Sequence, residues 1–521
     1  MQDTQYTLKD LLAIGADHAP ALSAPSRSAL TFAGLRTLIA ATIERLNRLG
    51  IGRNDRVAIV LANGPEMATC FMACASGVAS APLNPAYRTD EFQFYLSDLN
   101  ARALIVEEGS SSPAIEVATK LGVRVIDLIV HRDASTDRGA GHFTLEPRGE
   151  SGLGPTAHGG FAHPDDVSMV LHTSGTTSRP KIVPLSQANL AASATNIRNT
   201  LKFRPTDCGL NIMPLFHIHG LIAGVLAPLA AGSQVFCTPG FNALKFFAWM
   251  DEAHPTWYTA VPTMHQAIVA RARRGTENAD IIARNPLRFL RSSSSSMPPQ
   301  VIVELEQIFN APLIEAYGMT EATHQMASNP LPPSPRKPGT VGMAAGPEMA
   351  IMDTDGALLA RGDTGEIVIR GPNVTAGYEN NEKANAEGFT GGVNAGWFRT
   401  GDQGVMDADG YISITGRLKE IINRGGEKVS PREVDEILMD HPAVAQVVCF
   451  GMPHAKLGEE VAAIVVLREG QQITERELQT FVGSRAADYK VPKKILFMDE
   501  IPKGATGKLQ RIGLAQKLGL G

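Results

Sequence analysis

At 521 residues the chain exceeds what one hydrophobic core usually serves, so two or more domains are expected. Its 44% hydrophobic content is that of a globular protein, and no apolar run reaches the ~20 residues a membrane-spanning helix needs. A net charge of −5 without long basic blocks argues against nucleic-acid binding by electrostatics.

In chain order, residues 1–17 carry acidic groups and no long apolar segment, unlike a secretory leader. Residues 28–49 read as a turn and then an amphipathic helix, 56–62 as a buried strand, and 66–79 as a helix rich in small residues. Strand-like runs recur at 104–106, 167–171 and 257–260 with helical segments between them, which predicts an α/β fold with largely parallel strands. Residues 134–163, rich in Gly, Ser, Pro and charge, are expected to form an irregular surface excursion. Ser292-Ser293-Ser294-Ser295-Ser296 has the composition of a linker, but its flanks argue otherwise. Residues 287–291 read as a strand, and Pro298 and Pro299 open a helix through Phe309. The serines then form a strand-to-helix turn, a usual site location in α/β sheets.

The rhythm changes near Gly416. Beyond it come a helix at 431–439, strands at 444–450 and 461–467, a helix at 475–484 and a strand at 495–498. The expected organisation is a large N-terminal domain of layered α/β sheets, 1–418, and a small mobile α+β domain, 419–521. Five cysteines in mostly apolar surroundings, with no CxxC, predict buried free thiols in a reducing compartment, hence a cytoplasmic protein. Residues 517–521 are not a peroxisomal Ser-Lys-Leu address.

The most informative stretch is Thr173-Ser174-Gly175-Thr176-Thr177-Ser178-Arg179-Pro180-Lys181, directly after the strand at 167–171. A small hydroxyl-rich loop closed by Arg and Lys suits a polyphosphate, because backbone N–H groups and hydroxyls wrap the oxygens while cations neutralise them. It lacks the GxxxxGK[ST] pattern of a P-loop. Four further motifs follow in order: Phe216-His217-Ile218-His219-Gly220, Tyr317-Gly318-Met319-Thr320-Glu321, Trp397-Phe398-Arg399-Thr400-Gly401-Asp402 and Gly416-Arg417-Leu418-Lys419-Glu420. Pro502-Lys503-Gly504-Ala505-Thr506-Gly507-Lys508 closes the series.

This ordered set resembles the adenylate-forming superfamily of acyl-CoA synthetases, beetle luciferases and peptide-synthetase adenylation domains, over about residues 8–517. The resemblance implies that a carboxylate is activated as a mixed anhydride with AMP and then passed to a thiol. It implies ATP, Mg²⁺ and CoA as cofactor and co-substrates, small molecules as partners, and a monomer or homodimer with no membrane or nucleic-acid partner. Within the family pattern the 173–181 loop holds the β- and γ-phosphates. Glu315, Ala316 and Tyr317 line the adenine slot, and Thr320 contacts the α-phosphate. Glu321, with Thr176, holds Mg²⁺. Asp402 binds the ribose hydroxyls, and Arg417 reaches ribose and phosphate. Lys508 bridges carboxylate and α-phosphate oxygens during adenylation, with His217, Thr320 and Glu321 completing the catalytic set. Lys419 matches the hinge, and Arg424, Gly425 and Gly426, after Asn423, match the CoA channel. The chain departs from the pattern at Ser178, where Gly is frequent, and at Asn423, where luciferase-like members carry Lys.

The acid pocket is expected from His217, the serine turn and the residues after Glu321. Fatty and aromatic acids want small apolar groups there, whereas this chain has Ser294, Ser293 and His324. Buried donors facing a hydrocarbon would go unpaired, and a second carboxylate would satisfy them. His219 and His265 read as satisfied core residues. The run from Arg291 through the serines, together with Met319-Thr320-Glu321-Ala322-Thr323-His324 and His172 before the loop, resembles the oxalate–CoA ligases and implies a role in oxalate catabolism. Alternatives are a short- or medium-chain acyl-CoA synthetase of other specificity, a stand-alone adenylation domain charging a carrier protein, and a non-catalytic acyl-nucleotide sensor. Only about 13 residues follow Lys508, which favours the ligase over the carrier-charging domain. Intact Lys508, Asp402 and Glu321 argue against the sensor.

Overall fold

The computed structural model describes residues 6–131, 138–149, 154–173, 180–274, 276–502 and 511–520, and it is mixed α/β as the sequence predicts. Two sheets dominate the first part of the chain. One runs Phe143–Pro147, Arg124–Val130, Ala103–Glu107, Arg56–Val60, Ala79–Pro82, Val167–His172, Ile182–Ser186 and is parallel except at its two edges. Its central strands read as unbroken apolar runs because helices cover both faces. Val57, Ala58, Ile59, Leu104 and Ile105 have no exposed surface. Against it lies the helix Pro65–Gly77, buried along its whole length; Ala68, Cys70, Ala73, Cys74 and Ala75 are the small side chains that permit this.

The second sheet runs Met343–Ala344, His324–Ser328, Leu313–Met319, Phe289–Ser292, Trp257–Ala260, Cys208–Asn211, Gln234–Cys237, Pro20–Ala24, Arg27–Thr31. From Leu313–Met319 through Pro20–Ala24 neighbouring strands are parallel, so their carboxyl ends point one way. Burial of Trp257, Tyr258, Phe289 and Leu290 around these strands fixes their register.

Two segments differ from expectation. The start of 28–49, read as a turn, belongs to the strand Arg27–Thr31, antiparallel to Pro20–Ala24, after which Thr31 caps the helix Phe32–Arg48 through Gly34 N–H at 3.1 Å. The stretch expected to be irregular at 134–163 contains the strand Phe143–Pro147, whose Phe143 and Leu145 face inward while it pairs with Arg124–Val130. Both are short edge strands whose alternation is too brief to stand out among turn residues. The five cysteines are buried and free, as predicted. Among the described residues no helix is long and apolar enough to cross a membrane.

The chain divides into two compact units. The first takes in 1–173, 181–348 and 370–386; the second takes in 349–369 and the chain from 387 onward. Within the second, strands Glu348–Met352, Thr364–Arg370, Phe398–Met406 and Ile412–Arg417 form one sheet. The α+β portion that follows has the helices and strands read from the sequence: Pro431–Met439, Val444–His454, Gly458–Leu467, Glu475–Gly483 and Lys494–Phe497.

Candidate active site

Four parallel strands of the nine-stranded sheet deliver their carboxyl ends to one place, ending at Asn211, Ala260, Ser292 and Met319. Ligands of open α/β sheets bind beyond such ends. After Met319 the chain makes a 3₁₀ turn, Thr320–Ala322, and returns as His324–Ser328, antiparallel to its partner. The turn is fastened from outside: Ser193 Oγ donates to Thr323 O (2.5 Å), Asn373 Nδ2 to Ala322 O (2.8 Å) and Thr375 N–H to Glu321 O (2.7 Å). Gly318 is required in this hairpin. A Cβ there would lie 1.8 Å from His324 O and 3.1 Å from His324 Nδ1. Ser294, Thr323 and His324 all take positive φ (77°, 49° and 94°). Each costs on the order of 1–3 kcal/mol, and such strain gathers where side chains must be aimed.

Glu321 is 7% exposed, and its Oε1 accepts from Tyr378 O–H at 2.7 Å. Lys181 Nζ lies 4.2 Å from the centroid of the same Tyr378 ring. Lys181 also closes the neck of the 173–181 loop, its carbonyl accepting from Thr173 N–H at 2.9 Å. Tyr378 thus ties the end of that loop to the Glu321 carboxylate. Ser174, Gly175, Thr176, Thr177, Ser178 and Arg179 lie outside the described residues. Ala316 and Tyr317 are buried, and Glu315 Oε2 accepts from Gly339 N–H at 3.1 Å.

Of the residues expected in the acid pocket, His324 bonds directly to Arg291 and Ser294 reaches it through His219; Arg291 has no exposed surface. Its Nη1 donates to His219 Nε2 (3.2 Å) and Thr259 Oγ1 (3.4 Å), and its Nη2 to His324 Nε2 (3.1 Å) and Gln325 Oε1 (3.4 Å). No carboxylate pairs with it among the described residues. Burial pushes its pKa down to about 9, which leaves it charged at neutral pH. The His219 and His324 rings stack at 4.9 Å between centroids. Desolvation above all holds both well below the usual histidine range, helped at His324 by the Arg291 charge and at His219 by His324 and then Arg291, so both are neutral. His219 Nδ1 meets Ser294 Oγ at 3.1 Å, and Ser294 is the exposed member of the group. His217, two residues before His219, is half-buried. Arg291 Nε, Ser292 Oγ and Ser293 Oγ are buried without partners among the described residues. A buried cation with neutral ligands and spare donors is a costly arrangement that an entering anion would relieve.

In the second unit, Asp402 and Arg417 face each other across two antiparallel strands, with Arg417 Nε donating to Asp402 Oδ1 at 3.0 Å. The side chain of Asp402 is 13% exposed and that of Arg417 43%. Lys419 is exposed in the 3₁₀ turn Leu418–Glu420. Gly425 and Gly426 form the two-residue loop between Ile422–Arg424 and Glu427–Val429, with φ of 61° and 102°. Such hairpin loops need φ > 0 at both positions, a reason for these glycines independent of any ligand. Arg424 is ion-paired with Glu460. Lys508 lies outside the described residues; Arg511, three residues on, is paired with Asp435.

Residues 15–379 match the AMP-binding enzyme family, and residues 433–508 match the AMP-binding enzyme C-terminal domain. The chain belongs to the AMP-binding enzyme family. Among its relatives are an oxalate–CoA ligase of Arabidopsis thaliana, 44% identical over 95% of each chain, and one of Saccharomyces cerevisiae, 41% identical over 89% of this chain and 87% of that one. ATP-bound MatB from Rhodopseudomonas palustris superposes with a TM-score of 0.85 at 28% identity, covering 98% of each chain.

For an AMP-binding enzyme, the sequence singled out His217, Ser294 and His324, and the structure brings Ser294 and His324 onto one network through His219 and Arg291. His265 is the core residue expected, bonded to Tyr258 O–H and Arg291 O. His219 is buried and satisfied, as read, yet one of its three partners is Ser294, a residue expected in the acid pocket. Three contributors went unassigned. Arg291 was legible as a cation inside a buried strand, but its role was not. Thr259 and Tyr378 carry no local signal, because only folding brings them to the site. Glu321 suits Mg²⁺: it is a buried hard-oxygen donor held from one side, and its second oxygen has no hydrogen bond among the described residues.

Proposed function

We propose that this AMP-binding enzyme is an ATP-dependent oxalate–CoA ligase of oxalate catabolism, forming oxalyl-CoA through oxalyl-adenylate with release of AMP and pyrophosphate. The observation that carries the reading is the buried cluster of Arg291, His219 and His324 beside the exposed Ser294, a cation with no acidic group among the described residues to neutralise it. The identity with oxalate–CoA ligases over nearly the whole chain supports it. A monocarboxylic acid would leave the pocket's donors unpaired; oxalate offers two further oxygens one bond beyond the carbon being activated.

In the first half-reaction one oxalate oxygen attacks the α-phosphorus of ATP. The bond to the bridging oxygen breaks, and pyrophosphate keeps that electron pair. Thr173, the 174–179 loop and Lys181 would hold the departing phosphates. Asp402 and Arg417 would hold the ribose, and Tyr317 the base. Thr320 and Lys508 would sit at the α-phosphate, where charge accumulates. Glu321 and Thr176 would hold Mg²⁺, which supplies charge neutralisation of the phosphates. Then CoA, as thiolate, attacks the carbonyl carbon and AMP leaves. We assign this second step to another orientation of domain 419–521 about Lys419, with Arg424, Gly425 and Gly426 beside the CoA arm.

ATP–pyrophosphate exchange, run without CoA, tests the acid assignment. Oxalate should drive exchange, with malonate weaker and acetate and octanoate near background. Exchange driven best by octanoate or acetate would overturn the oxalate reading and leave the ligase reading standing.

A further inference from the structure

The hydrogen-bond inventory of the Arg291 cluster fixes more than charge. A guanidinium has N–H groups and no acceptor, so whatever lies opposite its Nη atoms must accept. His324 Nε2 faces Arg291 Nη2 at 3.1 Å and has no other partner among the described residues. That nitrogen therefore carries the lone pair. Since the ring is neutral, its one proton sits on Nδ1. His219 Nε2 likewise faces Arg291 Nη1 at 3.2 Å and the Thr259 hydroxyl at 2.6 Å. Thr259 Oγ1 accepts from Arg291 at 3.4 Å and turns its own proton to His219. The His219 proton is then also on Nδ1, donating to Ser294 Oγ at 3.1 Å. With its oxygen accepting from His219, the exposed Ser294 hydroxyl keeps its proton to donate outward.

We propose that Arg291 is the positioning residue of the acid pocket: it sets His324 and His219 in the Nδ1–H tautomer and so makes every group they present to the ligand, including Ser294, a hydrogen-bond donor. Arg291 itself stays covered and acts through the imidazoles. His324 Nδ1 has no partner among the described residues and lies beside Gly318, where a Cβ would be 3.1 Å away. This is the donor offered to a ligand oxygen. An Nε2–H tautomer would turn an acceptor lone pair to that position and repel a carboxylate. The ligand half of the inference rests on the oxalate reading; the tautomer half does not.

The test is a long-range ¹H–¹⁵N correlation spectrum of the full chain carrying ¹⁵N-labelled histidine. Among the 13 histidines, the His324 and His219 signals are assigned by their loss in H324Q and H219Q. Both should show a protonated Nδ1 and a bare Nε2 from pH 6 to 8. Finding Nε2–H at His324 in the wild-type protein, or a doubly protonated ring, overturns the inference. Arg291→Met should let His324 change tautomer and raise the oxalate KM roughly 10–150-fold, with the ATP KM unchanged. Arg291→Lys, a point donor that serves one imidazole, should fall between. Should Arg291→Met not fold, the wild-type spectrum decides alone. If oxalate drives no exchange while His324 is Nδ1–H, the acid assignment fails and the tautomer assignment holds. If oxalate is the substrate but His324 is Nε2–H, the reverse follows.

Discussion

At the scale of single residues, the oxalate reading makes the His324 ring one charge-assisted donor to the second carboxylate, so its removal would weaken that contact and leave the nucleotide contacts alone. His324→Ala should raise the oxalate KM about 10–150-fold, the equivalent of roughly 1.5–3 kcal/mol, with little change in the KM for ATP. Ser294→Ala should cost less, since a neutral hydroxyl donates a weaker bond. Initial rates at varied oxalate and varied ATP check both, and unchanged oxalate kinetics in His324→Ala would remove His324 from the pocket. His324 and Ser294 were legible because they stand beside motifs whose chemistry is readable. His219 was half legible: burial and function look alike in sequence when one imidazole serves both. Tyr378 could not be read at all, since it reaches Glu321 from 57 residues away.

At the scale of elements, the hairpin from Leu313–Met319 to His324–Ser328 is where backbone and site chemistry are joined. Its register slips between Tyr317 and Gly318, and its return strand opens on the positive φ of His324. Gly318→Ala would drive a methyl into the His324 carbonyl, so either the hairpin or the ring must move. Overpacking of this kind costs about 1–3 kcal/mol. The expected result is a lowered midpoint of thermal unfolding together with a raised oxalate KM; an unperturbed midpoint would show that the hairpin is looser than described. The long elements were legible from periodicity and from capping and proline signals, as at Pro65–Gly77 and Pro431–Met439, and the buried strand Trp257–Ala260 from its apolar run. Edge strands Arg27–Thr31 and Phe143–Pro147 were not, because pairing with a distant strand, rather than local pattern, makes them strands.

At the scale of the whole molecule, His219, His265 and His324 are buried neutral, with burial holding His265 down to about 4 and the other two well below the usual value. The unfolded chain takes up protons near pH 6.5 that the folded chain refuses. These groups therefore contribute full stability above that pH, and stability falls as pH drops from about 6.5 toward 4, by up to about 1.4 kcal/mol per pH unit for each histidine. Urea midpoints across this range check it; a flat profile would mean that protons enter the folded core. Division of labour between half-reactions gives the second prediction at this scale. Lys508→Ala should lower adenylation by about 10²–10³ and spare thioester formation from supplied oxalyl-AMP and CoA. An equal loss in both would argue against alternation about Lys419.

The central claim, that a donor-only pocket selects a second carboxylate, is tested most directly by competition. Equimolar oxalate, malonate, acetate and octanoate are given to the enzyme with ATP, Mg²⁺ and limiting CoA, and the thioesters are resolved by mass. Oxalyl-CoA should be at least about tenfold over every other product, the value of one charge-assisted hydrogen bond. A mixture dominated by acetyl-CoA or octanoyl-CoA would contradict the account.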